Sequence, residues 1–335
     1  MSRALPGIKR LPERKRRTMT RITTGLSPFT DAADIAEGHD LSGRTMIVTG
    51  GATGIGIETT RALAAAGAEV MIAVRNRKAG EDAAAEINGQ IGAGRVSVGA
   101  LDLSDLASVA AFVRAWGDRP LHALINNAGV MACPQTYTAN DLEMQVGTNH
   151  FGHFLLSVGL VRALMNGEEA GRTARLVSLS SIGHRRGGIN WDDMHYRTRP
   201  YDKWESYGQS KTANSLFAVG FYERFAELGI TANAVMPGGI MTPLQRHLPR
   251  EEMIAMGWMN DQGVIAQGFK TPAQGASTSV WAAIGPELEG VGGLYLENLA
   301  QALPWGEEPN AGVMPHALDP EAAERLWVVS EETIG

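Results

Sequence analysis

From Arg44 onward, short apolar β-branched runs alternate with longer Ala-rich stretches of helical period. Arg44–Thr49 (RTMIVT) predicts a buried strand, and Gly54–Ala66 a helix closed by Gly67. Glu69–Val74 (EVMIAV) predicts a second strand and Lys78–Ile87 a second helix. Arg95–Leu101 and Leu121–Asn126 add two strands, with a helix over Asp105–Trp116 between them. One long helix is expected over Ala139–Met165, a fifth strand over Ala174–Leu179, a long helix over Glu205–Leu228 and a sixth strand over Ile230–Met236. A helix near Pro272–Ile284, a last strand over Val291–Leu296 and a terminal helix over Pro320–Val329 complete the pattern.

Strands that are apolar on both faces and separated by helices imply a parallel sheet covered on both sides. The fold class is therefore α/β, doubly wound, and its ligands are expected at the carboxyl ends of the strands, near the point where strand order reverses. No internal repeat or low-complexity linker divides the chain. It reads as one domain over residues 41–300, with a flexible leader at 1–40 and a packed C-terminal appendage at 301–335.

Composition narrows this picture without changing it. A 335-residue chain that is 44% hydrophobic, with 40 glycines, suits a packed core with many tight turns. No apolar run is long enough to cross a bilayer, so stable membrane insertion is not expected. Cys133 is the only cysteine, which rules out an internal disulfide; with only scattered histidines beside it, no metal site is expected either. A reducing, cytoplasmic setting fits best. The net charge of -6 hides an asymmetry, because Arg3, Lys9, Arg10, Arg14, Lys15, Arg16, Arg17 and Arg21 face Glu13 alone at the N-terminus. The body that follows is strongly acidic, so no nucleic-acid partner is expected. The basic run itself reads as a solvated leader, with a nucleic-acid or membrane-touching tail or an organelle address as alternatives.

Candidate chemistry begins where the first strand ends. Thr49-Gly50-Gly51-Ala52-Thr53-Gly54-Ile55-Gly56 leads straight into a helix. Glycines there let the backbone approach a pyrophosphate, while free N–H groups and the positive end of the helix dipole hold the anion. The TGxxxGxG spacing is neither GxGxxG nor an ATP-type loop, and at this place it predicts a dinucleotide. The second strand ends Ala73-Val74-Arg75, with no carboxylate to take a ribose 2′-hydroxyl. Arg75 instead offers a planar cation to a 2′-phosphate, reinforced by Arg77 and Lys78, so NADP(H) is preferred over NAD(H). Asp102 reads either as a neighbour of the adenine or as part of the start of the next helix.

Tyr207 and Lys211 stand four apart near the start of a long helix and so share a face. A nearby ammonium favours the tyrosinate, which would bring a phenol with a pKa of about 10 toward the range of a useful acid/base. Taken alone, such a pair is ordinary helix-surface chemistry.

The pair does not stand alone. Thr49–Gly56, Asp102-Leu103, Asn126-Asn127-Ala128-Gly129, Asn149, Ser180-Ser181, Tyr207…Lys211 and Pro237-Gly238-Gly239-Ile240-Met241-Thr242 follow one another in the order seen in short-chain dehydrogenases/reductases. Over residues 40–300 the chain resembles that superfamily. The resemblance implies a Rossmann-type fold and NAD(P)-dependent interconversion of a carbonyl and an alcohol. It casts Tyr207 as general acid/base, Lys211 as the residue that tunes it and binds ribose, and Asn149 as the holder of a water relay. Ser181 would bind the substrate oxygen, with Ser180 as the alternative because adjacent strand residues face opposite ways. Gly50, Thr53, Gly54, Ile55, Gly56, Asp102, Leu103, Asn127, Ala128, Gly129, Pro237, Gly238, Ile240 and Thr242 would line the cofactor site. A homodimer or homotetramer is also implied.

The chain departs from the minimal family pattern between Ser181 and Tyr207, where a longer insert carries Trp191, Tyr196, Tyr201 and Trp204. That insert, with Asn149-His150-Phe151-Gly152-His153-Phe154 and Arg75, resembles the branch of retinol dehydrogenases, WW-domain oxidoreductase and light-dependent protochlorophyllide reductase. His150 and His153 have no carboxylate at ligand spacing and read as helix packing. A lid is expected over about 241–270, rich in Met241, Met253, Met256, Trp258, Met259 and Phe269, and suited to a sizeable hydrophobic substrate. Three functions are weighed: carbonyl/alcohol hydride transfer, reduction of a C=C bond, and a non-catalytic dinucleotide scaffold.

Overall fold

A computed structural model describes residues 21–169, 171–307 and 311–335, so the basic run at residues 1–20 lies outside the described residues. The elements follow in chain order: α1 (Ala32–Ala36), β1 (Thr45–Thr49), α2 (Gly54–Ala65), β2 (Glu69–Val74), α3 (Arg77–Ile91), β3 (Val96–Ala100), α4 (Leu106–Trp116) and β4 (Ala123–Asn126). The second half holds α5 (Met144–Val146), α6 (Gly152–Gly159), α7 (Val161–Asn166), β5 (Ala174–Leu179), α8 (Lys203–Phe225), β6 (Ile230–Met236), α9 (Arg250–Ala255), α10 (Pro272–Ile284), β7 (Tyr295–Glu297), β8 (Ala300–Gln301) and α11 (Pro320–Ile334).

The strands form one sheet in the order β3-β2-β1-β4-β5-β6-β7-β8, parallel throughout except for the β7–β8 pair. Strands β4, β5 and β6 are buried along their whole length, which is why their sequences are apolar on both faces. One apolar layer packs around α2, α10 and Trp281; the other packs around α4, α6, α8 and Trp327. Strand order reverses between β1 and β4, the doubly wound arrangement that the alternating pattern predicts.

Three departures from the expected elements have local causes. The helix expected over Ala139–Met165 is broken. Thr138 closes a turn onto the Leu142 carbonyl at 2.8 Å, with Asp141 at φ +59°, so helix cannot start before Met144. A π-helical turn over Gly147–Phe151 then separates α5 from α6. The last parallel strand starts later than Val291, because Gly293 turns at φ +73° and a Cβ on Gly292 would lie 2.3 Å from Tyr222. Finally, the stretch expected as a flexible leader is fastened to the domain at Arg21–Thr24 and again from Ala32, with Gly25–Phe29 exposed between. The Arg21 side chain donates to the Gln301 carbonyl at 2.8 Å, Thr23 bridges Ala300, and Ala32, Ile35 and Ala36 are buried. The C-terminal α11 lies against α8, where Trp327 stacks on Phe217 at 6.0 Å.

Candidate active site

The crossover from β1 to β4 is fastened by one threonine. Thr49 Oγ1 accepts from the backbone N–H groups of Asn127 (2.9 Å) and Ala128 (3.0 Å), and Asn127 Nδ2 donates back to the Thr49 carbonyl at 2.7 Å. This brings the Asn126–Gly129 stretch against the glycine loop. The loop is tight: a Cβ on Gly56 would sit 2.4 Å from the Gly50 carbonyl oxygen, and Gly50 and Gly54 turn at φ +66° and +56°. Only glycine tolerates these positions, and the result is a cradle of backbone at the start of α2. Ile240 and Thr242, after β6, close its far side, with the Thr242 side chain 3.2 Å from where a Gly54 Cβ would be.

Helix α8 begins at Asp202, whose carboxylate accepts from the N–H groups of Trp204 (2.7 Å) and Glu205 (2.9 Å), a cap of about 1 kcal/mol. Its first turns bury Tyr207 and Lys211 side by side. Lys211 Nζ donates to the Leu179 carbonyl at 2.9 Å and lies 5.7 Å from the centre of the Tyr207 ring. Burial pushes the Lys211 ammonium down to about 8. Burial also pushes the Tyr207 phenol up to about 12, opposed by a hydrogen bond with Ser181. Desolvation is the dominant influence on the phenol, in place of the lowering by the ammonium that the spacing suggests, and Tyr207 is protonated at neutral pH.

The two serines divide as adjacent strand residues do. Ser180 Oγ is buried, donates to the Lys211 carbonyl at 2.9 Å and accepts from Ser215 at 2.8 Å. Ser181 turns toward Tyr207 and accepts from the Gly183 N–H at 3.1 Å. Close approach of this turn to α8 needs two glycines: a Cβ on Gly183 would lie 3.0 Å from the Tyr207 ring, and one on Gly208 would lie 2.8 Å from the Gly183 oxygen. Asn149 sits in the π-helical turn. It donates to the Val130 carbonyl (2.9 Å) and to Ser210 Oγ (2.9 Å), and accepts from Val130 N–H (2.8 Å). It thereby ties the loop after β4 to α8, beneath Lys211.

A single cavity of about 1110 Å³ joins these parts. Gly50, Thr53, Gly54, Ile55, Gly56, Asn127, Ala128, Gly129, Pro237, Gly238, Ile240 and Thr242 line it together with Ser180, Ser181, Tyr207 and Lys211. Arg75, Asp102, Leu103 and Asn149 do not. Asp102 is turned onto Ser104, accepting from its N–H at 2.9 Å and its hydroxyl at 2.6 Å. Leu103 lies under α6, where only a glycine at position 152 allows the contact. Arg75 is exposed at the end of β2. Arg77 and Lys78 pair with Glu81 and Asp82 on their own helix, which leaves Arg75 as the available cation. His150 and His153 are packing residues: His153 spans the Asn149 carbonyl and Thr49 Oγ1, each at 2.9 Å, and His150 meets Ser330 at 2.7 Å.

The lid follows β6 as a short 3-10 turn (Pro243–His247) and α9. Met256, Trp258 and Phe269 line the cavity, and Met253 packs behind with Leu244, Leu248 and Tyr207; Met241 and Met259 do not reach it. The insert before Tyr207 is bound to this lid, since Glu252 accepts from both Lys203 Nζ (2.6 Å) and Trp204 Nε1 (2.9 Å).

Sequence patterns gave no sign of the brace behind Ser181. His184 Nε2 accepts from the Met314 N–H at 3.1 Å, so its proton is on Nδ1, 2.7 Å from the Ser181 carbonyl. Tyr295 donates to the same carbonyl at 3.1 Å, and His316 meets the His184 carbonyl at 3.0 Å. Burial pushes His184 down to about 4, so it is neutral in the fold. The partners lie over a hundred residues away, which no local motif can report.

Fold and site together define a Rossmann-type oxidoreductase: a tight glycine turn at the switch point shares one cavity with a buried Tyr/Lys pair. The chain belongs to the short-chain dehydrogenase family, whose model matches residues 44–253. It is 51% identical over 293 residues to a probable oxidoreductase of Streptomyces antibioticus, covering 86% of this chain and 96% of that one. It is 38% identical over 297 residues to retinol dehydrogenase 12 of Homo sapiens, covering 88% of this chain and 87% of that protein. Among solved structures, an uncharacterized Mycobacterium paratuberculosis protein superposes with a TM-score of 0.67 at 32% identity, covering 90% of this chain and 96% of that one.

Proposed function

We propose that the protein is an NADP-dependent oxidoreductase that interconverts a ketone or aldehyde and an alcohol on a sizeable hydrophobic substrate. The observation that carries this reading is the shared cavity, in which Ser181, Tyr207 and Lys211 lie between the glycine cradle and the Met256–Trp258–Phe269 wall. The cradle has the shape a dinucleotide needs, because backbone occupies the space that side chains would otherwise fill. A bound nicotinamide dinucleotide supplies a hydride to the carbonyl carbon, or accepts one in the reverse direction.

The protein's own residues do the rest. Tyr207 gives its proton to the carbonyl oxygen as that oxygen gains negative charge, and Ser181 steadies the oxygen with a hydrogen bond. Lys211, which donates to the Leu179 carbonyl, supports the tyrosinate left behind and binds the ribose. Asn149 acts as a positioning residue, tying the loop after β4 to α8 next to Lys211. Arg75 favours a 2′-phosphate because no carboxylate follows β2. The names of two relatives, retinol dehydrogenase 12 and polyprenol dehydrogenase of Mus musculus (38% identical over 292 residues), suit an apolar alcohol as substrate.

A panel of ketones, aldehydes, secondary alcohols and enones, run with NADPH and NADH while following nicotinamide absorbance, tests the proposal. Turnover of long apolar carbonyls with NADPH is expected. Products from enones with the carbonyl intact would replace this reading by C=C reduction.

A further inference from the structure

The charged side chains lining the cavity are Arg185, Arg186, Lys211, Arg246 and Lys270, and no carboxylate among the described residues lines it with them. Composition does not explain this, since the chain holds 36 acidic residues against 30 basic ones. Near the site, other cations are neutralised: Lys203 by Glu252 at 2.6 Å and Arg199 by Glu205 at 2.5 Å. Two of the five lining cations are also engaged. Lys211 holds the Leu179 carbonyl, and Lys270 holds Asn298 Oδ1 at 2.9 Å in the field of buried Glu297.

The arginines after Ser181 differ. Arg185 donates Nε to the Ile182 carbonyl at 3.1 Å and lays its guanidinium 3.9 Å over Trp305; Arg186 stands 5.1 Å from the Trp204 ring. Arg185, like Lys270, lies in the field of Glu297, but neither arginine forms an ion pair with a described carboxylate. Aromatic neighbours orient a guanidinium while leaving its planar donors free for a carboxylate. Position separates the pair from the cofactor cradle: both belong to the turn Ile182–Arg186, and a Cβ on Gly208, next to Tyr207, would lie 2.9 Å from Arg186 Cβ.

We infer that the substrate is an amphiphile, whose apolar body meets the lid and whose carboxylate is bound by Arg185 and Arg186 beside the reacting carbonyl. This rests on the proposed carbonyl/alcohol activity and narrows its substrate class to oxo acids and hydroxy acids.

Matched substrates test it. An aliphatic oxo acid, its methyl ester and the ketone without the acid group are each reduced with NADPH. The acid is expected to show a kcat/KM about tenfold or more above the other two. Arg186→Gln should erase that ratio and Arg186→Glu should reverse it. Equal kcat/KM for acid, ester and ketone overturns the inference and leaves the carbonyl chemistry standing. Calorimetry with NADP+ present, comparing a saturated fatty carboxylate with its alcohol, reads the same preference without turnover. A carboxylate preference there that Arg186→Glu abolishes supports the inference even if no carbonyl is reduced, and equal binding overturns it. Loss of NADPH affinity in parallel with loss of acid preference would assign the two arginines to the cofactor and also overturn it.

Discussion

The two halves of the cavity are built by different means. The half proposed for the cofactor is largely backbone: the glycines leading into α2, a strand end and the strip after β6. The half proposed for the substrate is side chain, drawn from α8, the turn after Ser181, the segment after β6 and a residue of the C-terminal segment, Ala311. A backbone cradle depends on local conformation that a short glycine motif encodes. A side-chain wall depends on which distant elements meet. The first kind suits one ligand type shared by many proteins; the second kind sets which substrate this one takes.

The largest expected effect lies at the boundary between the halves. Tyr207→Phe removes the proton donor while keeping the packing, and should lower kcat by about 10²–10⁴-fold, measured at saturating NADPH with folding checked by circular dichroism. Retention of full activity would remove Tyr207 from the chemistry. In the cofactor half, Arg75→Ala should weaken NADPH by about 10–100-fold and NADH much less. Equal losses in a fluorescence titration would cancel the 2′-phosphate role.

In the substrate half, His184→Phe severs the Met314–His184–Ser181 link. It should lower kcat severalfold more than it changes NADPH affinity, since it moves Ser181 and not the cradle. The same residue bears on stability. His150, His153 and His184 are pushed down by burial to about 3, about 4 and about 4, from an ordinary 6.5. The unfolded chain therefore takes up protons before the folded one does. The stability contributed by neutral histidine is complete above pH 6.5 and is lost as pH falls from there through about 4 for His153 and His184 and about 3 for His150. Urea midpoints measured across that window should fall toward acid, and His184→Phe should flatten the slope. The smallest effect is expected at the lid. Trp258→Ala should raise KM for a long apolar substrate while leaving a short ketone nearly unaffected, and equal changes for both would make Trp258 a packing residue only.

That Tyr207, Lys211 and the Thr49–Gly56 loop belong to one place was legible from their order among the other motifs along the chain, not from the Tyr/Lys spacing itself, and the pair and the loop line one cavity. Ser181 over Ser180 was not, because the strand's phase is set by its neighbours: Ser180 faces Ser215 and Lys211 of α8, leaving Ser181 for Tyr207. Asp102 carried a motif but turned onto Ser104. The broken helix before Asn149 escaped periodicity because a left-handed turn at Asp141 and a π-helical turn leave the apolar spacing nearly intact.

Alternating apolar runs determined the doubly wound sheet, and the glycine spacing determined the tight backbone turn at the start of α2. These are properties of neighbours along the chain, where dihedral preference and side-chain period act directly. Tertiary structure alone decided which serine faces the tyrosine, that the C-terminal segment braces it through His184, and that arginines with no ion pair to a described carboxylate line the cavity beside it. Those are meetings across many residues, settled by which elements pack together and not by any local preference.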